Sequence, residues 1–151
     1  MSREIKFRAW DKSYKIMIEQ PTIVGSTDGF VIGSRLHDGI EFSFRNEYPR
    51  DCILMQFTGL LDKSGKEIFE GDIVVGVKGY NKETVSGEVE YQNMVARFCV
   101  VVDYKNDGGR LWYDFTQIQE VEVIGNIYEP PHLLKQQKSL KGGKDGGFDN
   151  Q

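Results

Sequence analysis

Val and Ile together number 25 in this chain, against 10 for Ala plus Leu. Branched side chains are stiff at χ1 and suit a pleated, half-buried surface, and a chain almost without Ala lacks the best helix former. The sequence therefore predicts a mainly β protein. Period-2 patterning agrees. Ile5, Phe7 and Ala9 alternate with Lys6, Arg8 and Trp10, and Val85, Gly87, Val89 and Tyr91 alternate with Ser86, Glu88, Glu90 and Gln92. Val121 and Val123 alternate with Glu120, Glu122 and Ile124. The runs 53–58, 73–77 and 95–103 are denser in apolar residues, as strands buried on more of their surface are.

Turn signals fall between these runs. Asp62-Lys63-Ser64-Gly65 fits a type I turn closing on a residue that tolerates positive φ. Gln92-Asn93-Met94 separates two strong runs and predicts a hairpin, Asn106-Asp107-Gly108-Gly109 predicts a loop, and a further strand is expected over 111–115. Helix signals are few; Pro131 fits the first position of a short helix through Leu134 and Lys135. Short strands joined in this way point to a sandwich or a small barrel.

Three blocks resemble one family. REIKFRAWDK, LMQFTGLLDKSGKEIFEGDIV and EVIGNIYEPPHLL occur in the order seen in the YopX family of phage and prophage proteins, and span nearly everything from Arg3 to Leu134. The resemblance implies an SH3-type small β-barrel over residues 53–134, preceded by a smaller N-terminal region over 1–52. It also implies a phage or prophage origin. It implies no activity, the role of that family being uncharacterised. Pro131 after Pro130 departs from the usual single Pro, and the tail 135–151 lies outside the shared pattern.

Charge divides the chain along similar lines. Residues 1–52 carry 8 basic and 8 acidic groups, residues 53–134 carry 7 and 13, and residues 135–151 carry 4 and 2, which gives the net −4 of the 151 residues. The tail has two Gly pairs and little to bury, so it is expected to be disordered, and a chain ending at Lys135 is expected to keep its fold. An acidic body argues against a protein that coats nucleic acid, because that task needs clustered Lys and Arg. The longest apolar run, 98–102, is far too short to cross a bilayer, and no charged start with an apolar stretch opens the chain. Two Cys do not make a disulfide framework, so a cytoplasmic protein with reduced thiols is expected. With only His37 and His132, and no GxxxxGK[ST], GxSxG, GxGxxG or CxxC, multi-His zinc, P-loop, Rossmann and hydrolase-elbow chemistries are all disfavoured. No cofactor, metal ligand or catalytic residue is assigned.

Several candidate sites remain. Glu70-Gly71-Asp72 places two carboxylates one residue apart, but the preferred reading is a structural turn in which Gly71 takes positive φ and Asp72 accepts backbone N–H groups. The second reading is a metal-dependent hydrolase or nuclease using Glu70 and Asp72 with Asp103 or Asp114. Glu88 and Glu90 fit a solvated outer face. The set Tyr104, Lys105, Arg110, Trp112 and Tyr113, with Phe115, is the strongest ligand-binding hint, since aromatics give stacking area and Arg a cation–π partner. Lys6, Arg8, Trp10, Lys12 and Lys15 form a basic and aromatic face on an expected hairpin, read as solvated ahead of a nucleic-acid site. Cys99 reads as a small buried hydrophobe, Cys52 has a thiol raised by Asp51, and His37 reads as a surface residue.

The function expected is that of a non-enzymatic binding module with a protein or peptide partner. Sequence-tolerant nucleic-acid binding by the Lys6–Lys15 face and the tail is a further alternative. Open sheet edges also predict a homo-oligomer in which the N-terminal hairpin of one subunit packs on a neighbour.

Overall fold

A computed structural model describes residues 4–26, 29–35, 41–42, 52–104 and 108–129, with side chains described outside 22–35, 41–42 and Tyr104. Lys105, His37, His132, the helix expected at Pro131 and the tail 135–151 lie outside the described residues, as does the Tyr104 side chain. The described chain is almost entirely β.

Among the described residues twelve strands follow one another: β1 Phe7–Asp11, β2 Ile16–Ile18, β3 Thr22–Ser26, β4 Gly29–Arg35, β5 Glu41–Phe42, β6 Cys52–Leu61, β7 Glu67–Phe69, β8 Asp72–Lys78, β9 Thr84–Gln92, β10 Arg97–Tyr104, β11 Gly109–Asp114 and β12 Ile118–Asn126. A 3-10 turn, Phe115–Gln117, joins the last two. They form sheets in the orders β2-β1-β6-β7, β11-β10-β9-β8-β12 and β3-β4-β5, and every pairing is antiparallel. The five-stranded sheet curls as a half-barrel.

The alternation read from 85–92 fixes which face of β9 is inside. Val85 and Val89 are 4% and 1% exposed and join Ile68, Val74, Val100, Ile118 and Val123 in one core cluster. Burying each such side chain stabilises the fold by about 1.5–3 kcal/mol. Gly87 sits between the two valines because nothing larger fits: a Cβ there would lie 2.2 Å from the Val101 carbonyl oxygen. Tyr91 breaks the inward series. It is 41% exposed, because β9 has by then run past the core toward its hairpin.

The expected turn at 62–65 forms, with the Gly65 N–H donating to the Asp62 carbonyl at 3.0 Å and φ of 87° at Gly65. The β9–β10 hairpin also forms, but its loop takes in Val95 and Ala96, which the apolar run had suggested were strand. Ala96 adopts φ of 52° there. The strand expected to end at Phe115 ends at Asp114, whose side chain accepts the Thr116 N–H while Gln117 Oε1 accepts the Asp114 N–H. That capping box diverts the chain into the 3-10 turn.

The N-terminal reading needs correction. β1 and β2 form the expected hairpin, with Ala9 opposite Ile18. Arg8 and Trp10, however, are 5% and 9% exposed, so they do not belong to a solvated face. β1 pairs with β6 from Phe7 opposite Gln56 to Asp11 opposite Cys52, and two different neighbours cover the face that carries Arg8 and Trp10. Trp10 stacks on Tyr128 at 5.8 Å, while Arg8 lies over the Phe69 ring at 4.8 Å. Of that set Lys12 and Lys15 are exposed and Lys6 is half-buried.

Candidate functional site

Two irregularities open a groove at one end of the half-barrel. The β6–β7 register shifts between Phe57 and Leu61, and the β8–β12 register shifts between Gln119 and Glu122. Gly59 and Glu120, within those shifts, have φ of 87° and 53°. Bulges of this kind bend a strand and increase its twist. Between the bent ends of β6 and β12 and the β9–β10 hairpin lies a groove of about 760 Å³. Ile68 and Ile118, both buried core residues, form its floor. Its walls carry Leu60, Leu61, Tyr91, Phe98, Phe115 and Val121.

These walls are accessible. Leu61 is 58% and Leu60 42% exposed. Tyr91 and Phe98 meet edge to face at 5.1 Å, which orients both rings. Ion pairs flank the opening, between Lys63 and Glu122 and between Arg97 Nη1 and Asp114 Oδ2 at 2.7 Å.

Asp62 holds the β6 wall in place. One carboxylate oxygen accepts the N–H groups of Ser64 and Lys66 at 2.8 and 2.9 Å and the Ser64 hydroxyl at 2.7 Å. The other accepts the Val123 N–H at 3.0 Å, and the Lys63 N–H donates to the Val121 carbonyl at 2.8 Å. The β6–β7 turn is thereby fastened along β12. The Ser64 hydroxyl and the Val123 and Lys66 N–H groups hold the Asp62 carboxyl well below the usual carboxylate range. The Asp114 carboxyl is likewise lowered, first by the Thr116 N–H.

The ligand-binding set expected from sequence is divided by the sheet. Trp112 pairs with Val101 and Tyr113 with Val100, so the two rings face opposite sides. Tyr113 packs on the core cluster, with Lys78 Nζ 4.7 Å from its ring. Trp112 is 47% exposed on the outer face beside Arg110, whose guanidinium lies 6.0 Å from the ring. Arg110 is held by Glu90 and by Asp103 at 3.0 Å. Glu88 on the same face is half-buried, and burial, with Glu90 next, pushes its carboxyl up. It is therefore not the freely solvated group its alternation suggested.

The structure gives the four carboxylates of the metal reading separate tasks. Asp72 is 1% exposed, pairs with Arg8 and accepts the Phe69 N–H at 2.8 Å. Burial pushes its carboxyl up, while Arg8 and that N–H pull it back. Glu70 accepts the Gln56 N–H at 2.8 Å, and Gly71 between them has φ of 76°. Asp103 binds Arg110, and Asp114 caps the 3-10 turn. Among the described residues no group of three or more His, Cys, Asp or Glu is placed to hold a metal ion. Cys99 is buried, as expected, and Cys52 is half-buried.

Sequence reasoning missed the groove. The nearest signal was Met94-Val95-Ala96, an apolar stretch at a hairpin tip, of which only Ala96 lines the groove.

The family model described as YopX protein matches residues 6–135. The chain belongs to the YopX family. The crystal structure of protein yopX from Bacillus subtilis aligns with a TM-score of 0.55 at 20% identity, over 87% of this chain and 98% of that one, a likeness of fold. The crystal structure of protein EF1440 from Enterococcus faecalis is 31% identical, with 88% of this chain and 99% of that one covered and a TM-score of 0.48. No curated protein matches the chain. The YopX match includes every strand described above, and with them both sides of the groove.

Proposed function

We propose that this YopX-family protein is a non-enzymatic binding module whose groove takes an extended, apolar segment of a partner protein. The observation that carries the reading is the groove itself, about 760 Å³ with Leu60, Leu61, Tyr91, Phe98 and Phe115 at its surface. Its volume falls in the range of about 300–1,000 Å³ typical of ligand sites, and its lining is the mix of aromatic and aliphatic groups that such sites use. The wall also suits an extended chain. β1 pairs with β6 only as far as the bond from the Phe57 N–H to the Lys6 carbonyl, whereas β6 runs on to Leu61. On that side no described strand continues the ladder, so a partner strand can add there and place alternate side chains in the groove.

The SH3-type barrel over 53–134, with 1–52 as an N-terminal region, is compatible with the curled sheet and belongs to this reading. So do a phage or prophage origin and a place in the host cytoplasm, both of which rest on the family resemblance and on the composition.

Selection of a displayed library of extended peptides on the purified chain tests the proposal. Enriched sequences are expected to carry apolar residues at alternate positions and to shift the amide resonances of Tyr91, Phe98 and Phe115. Leu61→Glu is expected to abolish their binding without unfolding the chain, since Leu61 is 58% exposed. Peptides that bind Leu61→Glu as well as the parent chain would overturn the assignment of the groove.

A further inference from the structure

Among the described residues that line the groove, five are charged: Asp62, Lys63, Arg97, Asp114 and Glu120. Four of them are engaged. Asp62 accepts its hydrogen bonds from Ser64, Lys66 and Val123, Lys63 pairs with Glu122, and Arg97 pairs with Asp114. The exposed Glu120 carboxylate has neither an ion pair nor a hydrogen bond among the described residues. Lys63 feels Glu120 as well, but Glu122 is the partner that holds it. Two carboxylates thus face one ammonium, and one negative charge is left over at the groove.

The backbone places this charge. Glu120 sits in the β8–β12 register shift with φ of 53°, a left-handed conformation that Gly would supply without strain. The bulge itself therefore gains nothing from a Glu side chain. The Lys63 N–H donates to the carbonyl of Val121, the residue after Glu120. That bond sets Glu120 at the Leu61 end of the β6 wall and not at the Thr58 end.

We infer that Glu120 selects the partner: the extended segment that fills the groove carries a Lys or Arg just before its first apolar position. This rests on the groove reading and adds to it the charge and the direction of the segment. A strand that adds antiparallel to β6, as all the described pairings are, runs from Leu61 toward Thr58. Its N-terminal end then meets Glu120. A complementary charge there speeds encounter and rejects acidic segments, because like charges brought together are costly.

The test uses a peptide selected on the groove and synthesised in three forms, with Lys or with Glu before its first apolar residue, or with Lys after its last. Binding to the full-length chain is measured at low and at physiological salt. At low salt the Lys-first form is expected to bind about ten-fold more tightly than the Glu-first form. That ratio should shrink as salt rises, since an exposed charge is screened. Glu120→Gly removes the carboxylate and suits the backbone, and is expected to abolish the ratio; Glu120→Lys should invert it. Equal binding of the Lys-first and Glu-first forms to the parent chain would overturn the inference and leave the groove in place. So would a ratio that survives Glu120→Gly, or a Lys-last form that binds as tightly as the Lys-first form. Binding of all three forms to Leu61→Glu as to the parent chain would remove the groove, and this inference with it.

Discussion

Arg8 Nη2 lies 2.6 Å from Asp72 Oδ1, and the two side chains are 7% and 1% exposed. The pair ties β1 to the β7–β8 turn and is supported by the Phe69 ring beneath the guanidinium and the Phe69 N–H on the second Asp72 oxygen. A buried pair costs desolvation, so its net worth is small, but removing one partner strands the other charge. Arg8→Met is therefore expected to destabilise the chain by about 3–5 kcal/mol. Arg8→Met combined with Asp72→Asn should recover a large part of that loss, because the Asn oxygen still accepts the Phe69 N–H. Urea denaturation of the two single variants and the double variant checks this. Equal losses in Arg8→Met and the double variant would show that the pair acts by shape alone.

Asp62 predicts an acid limb of stability. Its folded carboxyl titrates well below the ordinary Asp value of 3.8, so folding favours the ionised form. The contribution is complete above about pH 3.8 and is lost as pH falls toward the folded value. Melting temperatures between pH 7 and pH 2.5 should fall less steeply for Asp62→Asn than for the parent chain. Parallel profiles would contradict the assignment of the four accepted hydrogen bonds to this carboxylate.

Gly87 and Gly59 separate close approach from backbone conformation. A Cβ at Gly87 would lie 2.2 Å from the Val101 carbonyl oxygen, whereas at Gly59 it would meet nothing within 4 Å. Gly87→Ala must shift β9 against β10 and is expected to cost about 1–3 kcal/mol or more, as overpacking does. Gly59→Ala meets only the φ of 87° and should cost about 1–2 kcal/mol. Chemical-shift changes should spread through β10 in the first variant and stay near the bulge in the second.

The strands were legible because a period of two, written in Val and Ile, has one physical meaning on a pleated sheet. The faces were not. Alternation at 5–10 says that Arg8 and Trp10 oppose Phe7 and Ala9 across the strand, but only tertiary pairing shows that a second layer covers them. A buried Arg is legible only through its partner, and Asp72 lies sixty-four residues away. The groove was hidden for a related reason. It depends on register shifts near Gly59 and Glu120, and nothing in the hydrophobic pattern distinguishes Leu60 and Leu61 on a bulged wall from the same residues in a regular strand. The aromatic strand Leu111–Tyr113 stands out in the sequence, but its alternation sends Trp112 and Tyr113 to opposite faces.

The central claim is that the groove between β6, β12 and the β9–β10 hairpin is where a partner protein binds. Site-specific photo-cross-linking in cells that express the chain tests it most directly, with a benzophenone amino acid placed at Leu61 in one chain and at Tyr80 in another. Both positions are exposed, at 58% and 82%, but only Leu61 lines the groove. The predicted result is one discrete adduct with another protein from position 61, lost when Tyr91→Ala is added, and none from position 80. The same adduct from both positions, or none from position 61 in cells where the chain is active, would contradict the account.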